Sequence, residues 1–222
     1  MSSIVPPTPV ADPAQAQDPS HVLAAVQAPR IAIEAVTPSL DQGRFATKAI
    51  VNETVVVKAT IFADGHDVLA AAVCWHDDKG QQQRAPMSQV EPLGLDVWEG
   101  SFTPHRVGRH GFIIEAWWDV YATYHYELVK KHQAGVPIGL ELEEGRRLVE
   151  QAAERSEGAL YDSLADVLEQ FRLAQNDADR VALLLDDETT RLMHEADTRP
   201  HLTRSDALYP LEVERLTARF AS

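Results

Sequence analysis

The single cysteine of this chain stands two residues before a histidine, a pair of residue types that can ligate zinc. Cys74 and His76 would share one face of a strand, and Asp77 and Asp78 follow directly. A structural zinc site needs four protein ligands and a catalytic site needs three, but no second cysteine or paired histidine stands at the usual spacing. The apolar neighbours of Cys74 also argue against a reactive thiolate, which requires an exposed, electropositive setting. The pattern favours a core cysteine beside a turn histidine, and we predict no metal site.

Other pairs of polar residues offer no stronger indication of chemistry. Glu141 and Glu144 stand about one helical turn apart, but acidic pairs of this kind are normally solvated helix faces. His125 and Glu127 would share a strand face with no further ligand. Neither of the glycine-rich phosphate loops, G-x-G-x-x-G and G-x-x-x-x-G-K-[ST], occurs in the sequence. We therefore predict no catalytic residue, no cofactor-binding residue and no cofactor for this chain.

The densest run of aromatic residues spans 117–126. Because alternate positions of a strand point to opposite sides of a sheet, these rings cannot all face one core, and some are predicted to be exposed. Exposed aromatic side chains mark protein interfaces or sugar-stacking platforms. Trp117, Trp118, Tyr121 and Tyr124 are therefore candidate interface or glucan-stacking residues. A cross-strand aromatic ladder covered by a helical segment would explain the same run equally well.

The strand-rich part of the chain, residues 30–138, has to position these candidates. Its apolar residues alternate with a period of two, which is typical of half-buried strands. Later strands are predicted at 96–103, 111–118 and 123–129, and Asp64-Gly65 predicts a tight hairpin or bulged turn after the strand at 54–62. One face of that strand collects Val55, Val57, Ala59 and Ile61. Six or seven short strands of this kind predict an immunoglobulin-like or fibronectin-like β-sandwich.

The remaining segments differ in composition. Residues 1–29, rich in proline and small polar residues, are predicted to be a disordered tail. In 139–200 the period changes to about 3.6, which predicts a small α-helical bundle that follows or interrupts the sandwich. Residues 201–222 form a mixed return segment, which Pro210 is expected to break. The fold class is therefore α+β in several parts.

Charge and cysteine content limit the function classes. The 222 residues include 20 lysines and arginines against 34 acids, a formal net charge of −14. This balance repels phosphates and anionic lipid, so neither nucleic acid nor a membrane is an expected partner. Residues 30–138 carry only −3, whereas 139–222 carry −9 and no lysine. A single cysteine cannot form an intrachain disulfide, which favours a reducing, cytoplasmic setting.

Several strings resemble the N-terminal region of the bacterial α-1,4-glucan:maltose-1-phosphate maltosyltransferases, members of the α-amylase superfamily. They occur in order over about 190 residues, which is far more specific than any one of them. The strings are Arg30-Ile31-Ala32-Ile33-Glu34, Gly43-Arg44-Phe45, Val51-Asn52-Glu53, Gly65-His66-Asp67, Phe102-Thr103-Pro104, Glu115-Ala116-Trp117, Leu202-Thr203-Arg204 and the closing stretch 215–220. Departures from the family pattern lie at Trp118, Val120 and residues 212–215.

The resemblance implies a β-sandwich with a helical insertion, both taking part in homodimer formation beside a (β/α)₈ barrel. The family transfers maltosyl from maltose 1-phosphate to α-1,4-glucans, with a retaining mechanism that uses barrel carboxylates. No catalytic residue of the family corresponds to a position in this chain. We therefore expect a non-catalytic assembly or dimerisation portion without activity of its own. A carbohydrate-binding module for α-1,4-glucan and a free-standing protein-interaction fragment are the alternatives.

Overall fold

The computed structural model describes residues 31–91 and 94–216. The predicted disordered segment 1–29 lies outside these residues, as does most of the closing stretch 215–220. Nine strands and five α-helices follow one another in the described part of the chain. The strands are β1 (Ile31–Thr37), β2 (Thr47–Ile50), β3 (Val55–Ala63), β4 (Leu69–His76), β5 (Gln82–Gln89), β6 (Val97–Phe102), β7 (Gly108–Trp118), β8 (Thr203–Arg204) and β9 (Tyr209–Glu214).

The strands form one continuous mixed sheet that curls into a half-barrel, in the order β1-β3-β6-β5-β4-β7-β9-β2. All neighbours are antiparallel except β2 and β9. Strand β8 lies off this path and pairs with Glu115 and Ala116 of β7, beyond the part of β7 that β9 occupies. Together with the helices this confirms the α+β class. The immunoglobulin-like or fibronectin-like sandwich stays a prediction.

The inner face of the sheet encloses the first hydrophobic core. The predicted apolar face of β3 is buried, with Val57, Ala59 and Ile61 at most 1% exposed. Aromatic rings join strands that are not neighbours in the sheet. Phe102 of β6 stacks on Trp75 of β4, with ring centroids 4.7 Å apart. Along β3 and β9, burial alternates, so that one set of side chains enters this core and the other stays on the outer face.

The hairpin alternative predicted after β3 and the predicted break at Pro210 are both wrong. The chain does turn after β3, where Gly65 has φ +110°, but β3 and β4 do not form a hairpin. The connection instead carries the chain to the other half of the sheet, where Val68 N–H donates to Thr123 Oγ1 at 2.9 Å. Pro210 does not break the return segment but lies within β9. It is tolerated because β2 pairs with β9 only from Leu211 onward, so no neighbour on that side needs its missing N–H.

The helices are α1 (Val120–Gln133), α2 (Gly139–Arg155), α3 (Gly158–Leu173), α4 (Asp177–Leu184) and α5 (Asp187–Glu195). The strand predicted at 123–129 is wrong, because these residues belong to α1. Asp119 caps this helix, its Oδ1 accepting from Ala122 N–H at 2.8 Å. Buried residues then recur at helical spacing as Tyr121, Tyr124 and Leu128. The intrinsic preference of the aromatic residues for strands is thus outweighed by a helix cap and by burial on one helix face.

The five helices enclose a second hydrophobic core, which shares no buried residue with the core of the sheet among the described residues. Val149, Ala152 and Ala153 of α2 are buried in it, and Leu164 and Val167 of α3 join them. Leu160, Leu168 and Phe171, on the same side of α3, are partly buried against this core.

Side-chain caps mark the start of the two short helices, α4 and α5. The Asn176 side chain accepts from Asp179 N–H at 2.9 Å, and that of Asp186 from Glu188 N–H at 2.9 Å. None of the described helices is long and apolar enough to cross a membrane.

The helical segment leaves and rejoins the sheet at the same place. The chain departs from β7 after Trp118 and returns as β8, which pairs with β7 again. Trp118 N–H donates to the Pro200 carbonyl at 3.2 Å, and Ser205 N–H donates to the Ile114 carbonyl at 2.9 Å. The two ends of the helical segment are therefore bonded to each other and to one strand.

Candidate functional site

The two candidate tryptophans lie at the end of β7, on opposite faces of the sheet. Trp117 is buried on the outer face, where its Nε1 donates to an Asp197 carboxylate oxygen and the Arg199 guanidinium lies 5.2 Å from its ring centroid. Trp118 is half-buried, and its ring is tilted against that of His201 at 5.6 Å. Within the described chain, Trp118 Nε1 is buried without a hydrogen-bond partner.

The two candidate tyrosines lie on α1 inside the helical core. Tyr121 Oη donates to the Leu184 carbonyl at 2.8 Å, and burial raises the pKa of this hydroxyl above its ordinary value. Burial likewise raises the pKa of Tyr124, whose hydroxyl has no partner among the described residues. Trp117, Tyr121 and Tyr124 thus offer no free ring face, and a sugar could stack on them only if the core opened. Interface contact or glucan stacking by Trp117, Trp118, Tyr121 and Tyr124 stays a prediction, and of the four only Trp118 is more than 8% exposed as the structure stands.

The sequence analysis missed a cluster of charged residues on the outer face of the sheet. Glu115 of β7 stands at its centre with a side chain only 4% exposed. Arg204 Nε donates to Glu115 Oε1 at 3.0 Å, and Arg84 Nη2 donates to Glu115 Oε2. Arg84 Nε also lies 3.2 Å from Cys74 Sγ. We call these four residues, Cys74, Arg84, Glu115 and Arg204, the arginine–glutamate cluster.

Strand register brings the arginine–glutamate cluster together. Cys74 of β4 stands opposite Arg84 of β5, and Glu115 of β7 stands opposite Arg204 of β8. The four residues come from four strands, and all project from the outer face. A strand prediction without a pairing register cannot place them side by side, because the register decides which residues stand opposite each other. The only sequence signal was that Glu115 and Arg204 both belong to strings that carry the family resemblance.

Electrostatics explain why a buried carboxylate is tolerated here. Burial acts to raise the pKa of Glu115, but hydrogen bonds from Arg204 and Arg84 outweigh it, so the pKa lies below its ordinary value. Glu115 is therefore ionised at neutral pH. The pKa of the Cys74 thiol is raised, chiefly by burial, with the nearby Glu115 charge contributing. Cys74 is thus a neutral thiol at pH 7, as expected for a cysteine without a nucleophilic role.

The cluster forms one wall of a cleft of about 620 Å³. Gln82 and Gln83 of β5, together with His76 and Leu208, also line this cleft. Arg84 and Arg204 both reach solvent, with side chains 37% and 64% exposed. The cleft therefore presents two guanidinium groups to solvent above a carboxylate that they cover.

A second charged contact joins the helical segment to the start of α1. His194 Nδ1 of α5 lies 3.2 Å from Oδ2 of Asp119, the residue that caps α1. The hydrogen bond to Asp119 raises the pKa of His194, against the opposing effect of partial burial. This contact ties two helices that are distant in sequence through one aspartate.

The other polar pairs do not form sites. The described residues contain no group of three or more histidine, cysteine or acidic side chains that could hold a metal ion. His125 and Glu127 lie on α1, where two positions apart is not one face, so their predicted shared strand face is wrong. Glu141 pairs instead with Lys131 at 2.7 Å.

Comparison with known proteins identifies the family. The model of the family described as alpha-1,4-glucan:maltose-1-phosphate maltosyltransferase, domain N/S, matches residues 29–215. The chain belongs to this family. Relatives of the chain carry the name alpha-1,4-glucan:maltose-1-phosphate maltosyltransferase without the domain qualifier. The chain is 40% identical over 206 residues to the alpha-1,4-glucan:maltose-1-phosphate maltosyltransferase of Pseudomonas aeruginosa. The aligned region covers 92% of this chain and 30% of that protein.

Two further relatives show the same relation between part and whole. The namesake protein of Burkholderia pseudomallei is 40% identical over 208 residues, covering 91% of this chain and 18% of that protein. The namesake protein of Rhodospirillum rubrum is 34% identical over 240 residues, covering 100% of this chain and 35% of that protein. The chain thus spans about a third or less of the length of these maltosyltransferases.

The structure gives a physical reason for some of the resembling strings. Glu115-Ala116-Trp117 and Leu202-Thr203-Arg204 form the β7–β8 pair and supply two of the cluster's charged residues. Asn52 N–H donates to the Pro104 carbonyl at 2.8 Å, which joins two other strings. These strings therefore include residues that hold strands of this chain together.

Proposed function

We propose that this chain is the non-catalytic, N-terminal assembly portion of a maltosyltransferase, with the catalytic barrel located elsewhere in the polypeptide. The observation that carries the proposal is the family match over residues 29–215, combined with the small share of each maltosyltransferase that the chain covers. On this proposal, the sandwich and helical bundle are structural units of a cytoplasmic homodimer that acts in α-glucan synthesis. Within the aromatic run, Tyr121 and Tyr124 pack in the helical core, and a part of the run in the interface stays a proposal.

An exposed apolar patch on the sheet supports an assembly role. Leu40 and Phe45 form an isolated β-bridge at the start of β2, and both are exposed. Phe45 is 59% exposed although a large aromatic side chain gains from burial. Contiguous apolar side chains on a surface mark interaction sites, and a twofold dimer would cover the same patch on both copies.

Strand β2 gives the patch a position at an open edge. It is the last strand of the sheet path and pairs only with β9 among the described strands. Edges of this kind need covering by another element or by a partner. The apolar patch and the open edge therefore lie on the same side of the molecule, where a second copy would protect both.

Sedimentation velocity on the chain at tens of micromolar tests the assembly role. We expect a dimer for the wild type and a monomer for Phe45→Asp, because the charge would have to be buried in the interface. Leu173→Asp at the end of α3 is the matched control, since Leu173 is 61% exposed and lies in the helical part. A monomeric wild type, or equal dissociation by both variants, would refute the proposed dimer surface.

Turnover by the chain provides the second test. Incubation with maltose 1-phosphate and a maltooligosaccharide should release no phosphate. Phosphate release above that of a blank would contradict the non-catalytic assignment.

A further inference from the structure

The cleft at the arginine–glutamate cluster has a local charge opposite to that of the chain. Its ionised lining groups are the Arg84 and Arg204 guanidiniums and the Glu115 carboxylate, which leaves one net positive charge. The chain as a whole carries −14. Glu115 is covered by the two arginines, so an incoming molecule meets guanidinium groups first. A positive cleft on an acidic protein concentrates anions at that point of its surface.

The arginines keep hydrogen-bond donors available for such an anion. Arg204 uses Nε on Glu115, and Arg84 uses Nε on Cys74 and Nη2 on Glu115. Within the described part of the chain, no acceptor pairs with either Nη of Arg204 or with Nη1 of Arg84. Because Glu115 fixes both side chains, little further conformational entropy is lost when these donors bind a ligand.

Geometry and size indicate the class of anion. Planar guanidinium groups match the oxygens of phosphate, and a phosphate monoester carries about −1.5 to −2 charges with three acceptor oxygens. The volume of about 620 Å³ exceeds what a single phosphate fills and lies in the range of small-molecule sites. Gln82, Gln83 and His76 supply polar groups for hydroxyls on the rest of the ligand.

We infer that this cleft binds a phosphate monoester with a polar remainder of about sugar size, with Arg84 and Arg204 holding the phosphate. The site uses residues of this chain alone. It goes beyond the assembly role, because phosphate binding and dimerisation are measured independently and either can fail without the other.

Isothermal titration at constant ionic strength tests the inference with three probes: inorganic phosphate, maltose 1-phosphate and maltose. We expect maltose 1-phosphate to bind, inorganic phosphate to bind more weakly and compete with it, and maltose not to bind. Binding of maltose as tight as that of its phosphate would overturn the assignment to an anion. Acetate competing as effectively as phosphate would overturn the assignment to phosphate.

Matched variants locate the site. Gln82→Glu adds a negative charge inside the cleft, whereas Gln89→Glu adds the same charge at the other end of β5. Both side chains are exposed, so both variants are expected to fold. We expect Gln82→Glu to weaken the affinity for maltose 1-phosphate by about tenfold or more. Gln89→Glu should change it by less than about twofold.

A second pair of variants removes a donor. Arg204→Gln should weaken binding by about tenfold or more, and Arg109→Gln, at a side chain 92% exposed outside the cleft, should not. Circular dichroism checks that each variant keeps its secondary structure. Equal weakening in the cleft and control variants would refute the inference. So would the absence of binding to the wild type at a ligand concentration tenfold above a dissociation constant of about 1 mM, which is typical of a weak site.

Discussion

Replacing Glu115 by glutamine tests whether the arginine–glutamate cluster holds the outer face of the sheet together. The substitution keeps the shape of the side chain but removes the charge that two guanidiniums share. A hydrogen bond to a charged group contributes about 1.5–3 kcal/mol. Both arginines reach solvent and regain water when the carboxylate is lost, which reduces the net effect. We therefore expect Glu115→Gln to lower the free energy of unfolding by about 2 kcal/mol at pH 7.

Urea unfolding followed by circular dichroism measures this loss. With a slope of about 2 kcal/mol per molar urea, the midpoint should fall by about 1 M. Glu212→Gln is the control, because Glu212 makes a longer, exposed contact with Arg109 at 3.7 Å. Its midpoint should not change measurably, since exposed ion pairs contribute little.

The pH dependence gives the same prediction a second signature. The pKa of Glu115 in the folded chain lies below the ordinary value of 4.5, so its contribution is present above that value and is lost as the pH falls through the folded pKa. The difference between wild type and Glu115→Gln should therefore shrink from about pH 4.5 downward. A variant within about 0.5 kcal/mol of wild type at pH 7, or a difference that stays constant down to acid pH, would refute the role assigned to the cluster.

Two further predictions concern the helical core. Gly145→Ala should destabilise the chain by about 2 kcal/mol in the same urea assay, because its new Cβ would overlap Tyr124 Oη, a clash that outweighs the gain in helix propensity. Gly139→Ala, whose new Cβ would meet no atom within 4 Å, should cause no loss, and equal stability of the two variants would contradict the packing argument. His194→Gln should remove a pH-dependent contribution: the pKa of His194 is raised by Asp119, so its stabilisation is complete below 6.5 and is lost as the pH rises through the folded pKa. Wild-type stability should therefore fall relative to the variant as the pH is raised above 6.5, and parallel pH profiles would show that the contact contributes nothing.

Local patterns in the sequence predict the parts of the fold that local forces decide. The alternation of Val55, Val57, Ala59 and Ile61 predicts β3 because each of these residues faces the same core. The cap at Asn176 is predictable because its partner stands three residues away. Such signals depend only on neighbours along the chain.

The parts that fail depend on contacts between distant segments. The strand predicted at 123–129 follows from aromatic preference, whereas burial of Tyr121 and Tyr124 against α2 and α4 favours a helix. Strand β5 escapes a pattern search, since most of its residues are polar and exposed. The arginine–glutamate cluster requires the register of four strands, and no single segment contains that information.

Because the helical segment leaves β7 and returns as β8, which pairs with β7, the segment is in topological terms a long loop between two paired strands. Its ends are already bonded, Trp118 N–H to the Pro200 carbonyl, so replacing the residues between them with a short turn would leave the sheet order and its core unchanged. Insertions at such points are tolerated because the entropy cost of closing a loop grows only slowly, by about 0.6 kcal/mol for each doubling of its length. A change in the length of the helical segment is therefore expected to leave the pairing of the strands that carry the cleft unchanged.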